Sequence, residues 1–294
     1  MGREGFQPAI SVIVPVYNAE ETLGACAESL LKLDYPRGLH ELIFVDNAST
    51  DASRRILDGF GSRIRTVHEP KRGPSAARNC GIRNARFEVV AFTDSDCRVD
   101  AQWLTHLAAP LIDPEVGVSG GRIRAPRPCN PVEAFGESVH DNSKAITYYK
   151  PPYSDSANWA SRREVLLQLN GFDESFPRSE DVELSCRMLQ AGLKLAYAPE
   201  AIVVHRNERT YSGLFKEGFT HGRHSVALLE RHREFYEGFG YNPRRLALYR
   251  QLWDELRRYL KGIEPETSRC SLIFNAGKRV GRLAGSVECG AIHL

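Results

Sequence analysis

The run Ile10-Ser-Val-Ile-Val-Pro-Val-Tyr17 constrains the fold more than any other stretch of the chain. It is β-branched and almost without polar breaks, the pattern of a strand covered on both faces, so other layers must lie above and below it. Asn18-Ala-Glu-Glu21 then resembles a helix N-terminus, a cap with an acid three residues on, and Leu23, Ala27, Leu30 and Leu31 follow at helical spacing. The unit recurs. His40-Glu-Leu-Ile-Phe-Val-Asp46 predicts a second buried strand, and Ser49-Thr-Asp51 opens a helix through Ile56 and Leu57. Ile64-Arg-Thr-Val67 predicts a third strand, Gly73 to Gly81 a helix, and Phe87-Glu-Val-Val-Ala-Phe-Thr93 a further strand. Strands alternating with helices predict an α/β fold with a mainly parallel central sheet flanked by helices. Ligands of such sheets bind beyond the carboxyl ends of the strands, which directs attention to Tyr17 to Glu20, Asp46 to Asp51 and Asp94 to Asp96.

Past residue 100 the pattern loosens. Trp103-Leu-Thr-His-Leu reads as helix, Val116-Gly-Val-Ser-Gly-Gly-Arg-Ile as strand, and Ala125-Pro-Arg-Pro-Cys-Asn-Pro131 as a loop. Residues 163–170 and 181–191 carry helical patterns, and Ala201-Ile-Val-Val-His205 predicts a late strand. Beyond about Tyr211 the chain turns helical and basic, which predicts an α/β domain over 1–222 and a helical extension over 223–294.

With 294 residues, 42% hydrophobic and 26% charged, the chain can bury its own core, and disordered or collagen-like classes are excluded. No apolar run reaches the roughly 18 residues that span a bilayer. The polar start lacks a secretory stretch, and seven cysteines without a CxxC pair suggest neither a disulfide framework nor a zinc cluster. Both point to reduced thiols and a cytoplasmic location. Cys97 follows two acids, which disfavour a thiolate. The balance of 39 Lys and Arg against 37 Asp and Glu argues against a nucleic-acid partner, which calls for a strong basic field.

Asp94-Ser95-Asp96 closes a strand whose preceding residues are almost all apolar. Two carboxylates one residue apart at a strand end can reach the mouth of the sheet and take a hard divalent cation that bridges phosphates. Acids are equally at home in a solvated turn or a helix cap. Asp46, at the end of another strand predicted to face the same crevice, favours the first reading; a carboxylate there can accept from a base N–H or a ribose hydroxyl. Neither a GxGxxG fingerprint nor a GxxxxGK[ST] phosphate loop occurs at these turns.

Seven pieces together resemble an inverting glycosyltransferase of family 2, with the GT-A fold. They are Val12-Ile-Val-Pro-Val-Tyr-Asn, Ile43-Phe-Val-Asp-Asn-Ala-Ser-Thr-Asp, Gly73-Pro-Ser-Ala-Ala-Arg-Asn-Cys-Gly-Ile, Ala91-Phe-Thr-Asp-Ser-Asp, Asn158-Trp-Ala-Ser-Arg-Arg-Glu, Gly171-Phe-Asp-Glu and Ser179-Glu-Asp-Val-Glu-Leu-Ser-Cys-Arg. They occur in family order over about residues 9–210. The resemblance implies a nucleotide-sugar donor, a UDP-sugar before a GDP- or dTDP-sugar, a divalent Mn²⁺ or Mg²⁺, and inverting transfer to an acceptor hydroxyl. By position it implies that Pro15, Tyr17, Asn18 and Glu20 lie beside the nucleotide, that Asp46 meets the base, and that Arg78 borders the pocket. Asp94, with Ser95, would approach the ribose and Asp96 the metal. Asn47 departs from the family, many members of which carry a second acid there.

Breaking an anomeric C–O bond leaves a diphosphate with growing charge, which a divalent cation stabilises, and attack from the opposite face needs a base. The resemblance implies that this base is Asp181, with Glu180 as neighbour; crowded carboxylates raise one another's pKa. An acidic helix start beneath Ser179 is the structural alternative. The resemblance also offers His205 as a second protein ligand to the metal, against a plain structural histidine. Asn158 and Trp159 fall where the family lines the donor-sugar and acceptor side, Trp159 either stacking on a sugar or sitting in the core.

From Arg223 onward 13 Lys and Arg face 8 Asp and Glu, a balance of +5, whereas the first 222 residues hold 26 against 29, or −3. A helix over 244–261, led by Asn242-Pro243, alternates apolar Leu248, Tyr249, Leu252, Trp253, Leu256, Tyr259 and Leu260 with basic positions, and a second carries Leu272 to Leu283. Two readings stand: helices packed on the catalytic domain or on a second subunit of a homodimer, or a segment resting peripherally on an anionic membrane beside a lipid-linked acceptor. The function expected is sugar transfer in building a surface polysaccharide or glycoconjugate. Its rivals are a sugar-nucleotide-binding protein without transfer, which Asp96 and Asp181 disfavour, and a sugar nucleotidyltransferase, which would need a Gly-rich loop where Pro15-Val-Tyr-Asn18 stands.

Overall fold

The computed structural model describes residues 7–241, 247–263, 265–291 and 293. They form two compact units, Met1–Arg124 with His140–His205, and Ala125–Val139 with Arg206–Leu294.

The first unit is built on one eight-stranded sheet. In chain order its elements begin β1 (Ile10–Val16), α1 (Leu23–Leu30), β2 (His40–Asp46), α2 (Ser53–Phe60), β3 (Arg65–His68), α3 (Pro74–Asn84) and β4 (Val89–Thr93). The expected alternation is present, and β3, β2, β1 and β4 lie side by side and parallel. The sheet continues with β5 (Cys97–Val99), α4 (Trp103–Ala108) and β6 (Val116–Arg124). The order β3-β2-β1-β4-β7-β6-β8-β5 is completed by β7 (Asn158–Arg162) and β8 (Lys194–His205). Here the sheet turns mixed, because β7 runs antiparallel to β4 and β6, and β5 antiparallel to β8. Neither β5 nor β7 stands out in the sequence: β5 is three residues long, and β7 carries polar Asn158 and Ser161 inside the sheet. The central strands separate two apolar layers, one around Val12, Val14, Phe44 and Trp103, the other around Ile13, Val45, Phe92, Trp159 and Phe172.

Two helix starts lie downstream of the expected caps. The first α-helix begins at Leu23 without a side-chain cap, since Asn18 is in the left-handed region (φ 48°) and serves another loop. The second begins at Ser53.

The second unit is helical among its described residues. It contains α5 (Pro131–Val139), whereas α6 (Asn142–Thr147), α7 (Arg163–Gln168) and α8 (Glu180–Gln190) belong to the first. Its other helices are α9 (Tyr211–Arg231), α10 (Arg233–Gly238), α11 (Ala247–Leu260) and α12 (Pro265–Cys289). The expected boundary at 222 falls inside α9, so the helical unit starts earlier and recruits α5 from upstream; Asn242-Pro243 and residues 244–246 lie outside the described residues. Glycines let α9 and α12 touch backbone to backbone: a Cβ on Gly222 would stand 2.0 Å from the Lys278 carbonyl oxygen, and one on Gly281 2.0 Å from that of Phe219.

Candidate active site

The parallel strands β1, β2 and β4 release the chain at one edge of the sheet, and the loops there carry most of the expected residues. Strand register decides the neighbours. Val16 pairs with Asp46 and Asp46 with His68, so the buried Asp46 carboxylate meets His68 Nδ1 at 3.2 Å, while its other oxygen accepts from Ser49 N–H at 3.1 Å. Arg54 Nη1 stands 3.9 Å away.

Asn47 explains its own departure from the family pattern. Its amide donates to the carbonyls of Glu69 (2.9 Å) and Lys71 (2.7 Å) and accepts from Gly73 N–H (2.8 Å), pinning the loop that leads into α3. A carboxylate could not donate those two bonds.

Asn18 and Glu20 join the β1 loop to the β2 loop. Asn18 Oδ1 accepts from Thr50 N–H (2.8 Å) and Glu20 Oε2 from Ala52 N–H (2.9 Å), while Glu20 N–H donates to Asp51 (3.0 Å). Both side chains thus brace the pocket wall. Pro15 is half-buried within β1, and Tyr17 is exposed beneath the Arg72 guanidinium, 5.3 Å from the ring centre.

Deeper in, Arg78 of α3 is buried and forks between two acids. Its Nη1 donates to Glu180 (2.6 Å) and its Nη2 to Asp94 (2.9 Å), tying the end of β4 to the start of α8. The two carboxylates hold the guanidinium well above its ordinary pKa against the penalty of burial. Ser95 follows half-buried in the turn.

Asp181 occupies the first turn of α8, after Ser179 in the left-handed region (φ 65°). Its Oδ2 accepts from Ser156 N–H at 3.0 Å and its Oδ1 from Val182 N–H at 2.8 Å. Burial, followed by the charges of Glu180 and Asp155, pushes its carboxyl up from 3.8 to about 7. A carboxyl poised there exchanges a proton near neutral pH, as a general base must.

The remaining carboxylate, Asp96, stands opposite β8. Antiparallel pairing puts Cys97 across from His205, which brings His205 Nε2 to 3.6 Å from Asp96 Oδ2. Burial pushes the Asp96 carboxyl up, opposed by His205 and reinforced by Asp94. Asp96, Cys97 and His205 gather their ligand atoms within 4.8 Å of one another. Burial holds the Cys97 thiol far above its ordinary pKa, with Asp96 and Asp94 adding to the effect, so it stays protonated. The usable donors are one hard carboxylate and one imidazole, a set that fits Mn²⁺ or Mg²⁺ and leaves most positions to phosphate and water.

Asn158 and Trp159 lie in the interior, which for Trp159 is the core alternative and for Asn158 departs from a lining of the donor-sugar and acceptor side. Both are 0% exposed. Asn158 donates to the carbonyls of Arg122 (2.9 Å) and Ala201 (2.8 Å) and accepts from Trp103 Nε1 (2.8 Å), bracketing the mixed half of the sheet. Trp159 packs between Phe92 and Phe172, with ring centres at 5.2 and 5.7 Å. Strand position gives the reason: β7 is an interior strand, so its residues face the two packed layers.

Two residues of this region escape sequence reasoning. His140 Nδ1 lies 2.8 Å from Asp155, and its ring centre 4.7 Å from that of His205. Asp155 lies three residues before the piece that begins at Asn158, and extending that piece upstream would have reached it; His140 carries no local signal.

The profile of the glycosyl transferase family 2 matches residues 11–169, more than half of the chain, and ends before α8 and β8, which carry Asp181 and His205. This chain belongs to glycosyl transferase family 2. It is a transferase, as the similar proteins are. Glycosyltransferase AglE of Haloferax volcanii is 27% identical over 224 residues, 74% of this chain and 73% of that protein. The pre-mycofactocin glycosyltransferase of Mycobacterium tuberculosis is 28% identical over 232 residues, 76% of this chain, which spans about half (48%) of that protein. The mannosyltransferase PcManGT from Pyrobaculum calidifontis, solved with GDP-Man and Mn²⁺, superimposes with a TM-score of 0.61 at 21% identity, over 98% of this chain and 77% of that one. TarS of S. aureus, solved with UDP-GlcNAc, gives 0.56 at 16% identity over 96% and 92%. These two likenesses establish the GT-A-like fold, a mixed α/β sheet flanked by helices with a helical C-terminal region.

Proposed function

We propose that this family 2 glycosyltransferase moves a sugar from a nucleoside diphosphate carrier to an acceptor hydroxyl with inversion at the anomeric carbon. The observation that carries the reading is Asp181, held by two backbone N–H groups beside Glu180 and Asp155, with its carboxyl pushed up to about 7. The acceptor oxygen attacks the anomeric carbon as its proton passes to Asp181, and the C–O bond to the diphosphate breaks, the electron pair leaving with the nucleoside diphosphate. The Ser156 and Val182 N–H groups hold the two Asp181 oxygens, which fixes the direction from which the proton is taken. Arg78 holds Asp94 and Glu180 in place. Asp46 and its loop receive the nucleoside, and Tyr17 offers its exposed ring to the same part of the donor. Asp96 and His205 would hold the divalent cation, which neutralises the charge gathering on the departing diphosphate. The complexes of the similar proteins, GDP-Man with Mn²⁺ in one and UDP-GlcNAc in the other, support this donor class.

A panel of UDP-, GDP- and dTDP-sugars with Mn²⁺ or Mg²⁺, read by thermal stabilisation and slow donor hydrolysis, tests the reading. A bound donor raises the melting point by mass action. No shift with any nucleotide sugar would sink it.

No helix among the described residues is long and apolar enough to cross a membrane. We propose instead that the helical unit rests on an anionic surface near a lipid-linked acceptor of polysaccharide or glycoconjugate synthesis. Support comes from α11, which exposes Trp253 (54%) and Leu260 (74%) beside Arg257, Arg258 and Lys261. Co-sedimentation with phosphatidylglycerol vesicles should fall sharply on Trp253→Glu with Leu260→Glu; unchanged binding removes the idea.

A further inference from the structure

The metal side and the base side of the crevice meet in one short stretch of chain. Asp155 accepts from His140 on one oxygen and from Ala157 N–H (3.0 Å) on the other, and its own N–H donates to Asn142 (2.7 Å). Asn142 is itself tied to the Gly121 carbonyl at 3.0 Å. Asp155 is therefore held from three directions, and the shared proton of the His140 pair holds its carboxyl far below the usual range despite burial. The His140 ring packs against His205, tilted by 47°. The next residue, Ser156, gives its N–H to Asp181.

We infer that Asp155 and His140 are positioning residues: Asp155 fixes the His140 ring, His140 sets the ring of His205 toward Asp96, and the same stretch, through Ser156 N–H, sets Asp181. The inference rests on the metal reading given above. Outer-shell partners that orient an imidazole ligand, usually by a hydrogen bond, are typically worth about 10- to 100-fold in metal affinity, and the ring contact of His140 would orient His205 in the same sense. His140 is not itself in the ligand group: among the described residues the group whose ligand atoms lie within 4.8 Å of one another is Asp96, Cys97 and His205. Setting ligand and base from adjacent residues keeps the leaving group and the attacking hydroxyl in one line, as inversion requires.

The full chain titrated with Mn²⁺, reading free Mn²⁺ by electron paramagnetic resonance, tests this without turnover. His140→Ala should raise the dissociation constant about 10-fold or more. His140→Phe keeps a ring without the donor, and His140→Asn a donor without the ring; each should recover part of the loss, and they carry the test if the alanine variant does not fold. In a His205→Ala background, His140→Ala should add nothing. Unchanged Mn²⁺ affinity in folded His140→Ala, or a full additional loss in the double variant, overturns the role of His140. Saturating Mn²⁺ should restore kcat in His140→Ala but leave it depressed in Asp155→Ala; complete rescue of both overturns the link to Asp181. If Asp96→Asn and His205→Ala themselves leave Mn²⁺ affinity unchanged, the metal reading fails instead.

Discussion

The two ends of the crevice use the same residue type in opposite ways. Toward β1 and β2, carboxylates and amides are spent on backbone N–H groups and carbonyls: Asp46 on Ser49, Glu20 on Ala52, Asn18 on Thr50, Asn47 on three partners. That end is a rigid wall. Toward α8 and β8, acids crowd one another; Arg78 pairs with Asp94 and Glu180, and Asp96 and Asp181 are pushed up toward protonation. Both ends use backbone N–H groups, Asp181 included, and what separates them is crowding: an acid buried beside other acids, as Asp181 is beside Glu180 and Asp155, is the one left poised for chemistry.

Asp181→Asn gives the sharpest break between the ends. Transfer should fall about 10²- to 10⁴-fold, the worth of a general base, with donor binding retained; undiminished transfer removes the base assignment. The same variant should melt higher above pH 7. The native carboxyl keeps a proton from its ordinary 3.8 up to about 7 that the unfolded one has released, so this group's contribution to stability declines across that window as pH rises. Asparagine does not titrate and escapes the loss.

Arg78→Met comes next. It strands two acids, one of them buried, and should cost about 3–5 kcal/mol, the usual consequence of removing one partner of a buried pair. Urea unfolding measures it; Arg78→Lys should recover only part, because one ammonium cannot span the fork.

At the wall end, Asn47→Asp should cost about 1–3 kcal/mol by leaving two carbonyls without their donors. A cost near zero would mean that the loop into α3 is held by something else.

The smallest expected effect is on pH. Glu180→Gln removes the larger of the two charges that raise Asp181, so the acidic limb of kcat/KM should move below its midpoint near 7 by up to about one pH unit. A limb that stays in place would assign the titration to another group.

Much of the fold was legible because its signals are local. Short β-branched runs bounded by turn residues favour strands covered on both faces, and acids directly after them then stand at the strand ends, so β1, β2, β4, Asp46 and the acids at 94 and 96 could be read directly. Local reading failed where a residue's partner lies far along the chain. Asn18 has the appearance of a cap for its own helix, but a loop 32 residues away takes its oxygen. Asn158 and Trp159 sit inside a family motif, yet the antiparallel insertion of β7 between β4 and β6 turns both into the core. His140 is 15 residues from its partner Asp155, with nothing local to mark it.

Alone, then, the sequence determined the α/β alternation, the edge of the sheet that faces ligand, the acids that gather there and the family. Periodicity and strand ends are properties of neighbouring residues. Tertiary structure decided which acids are paired and which are poised. That choice depends on how deeply each carboxylate is buried and which other charges lie beside it, and both are set by packing among elements distant in the chain.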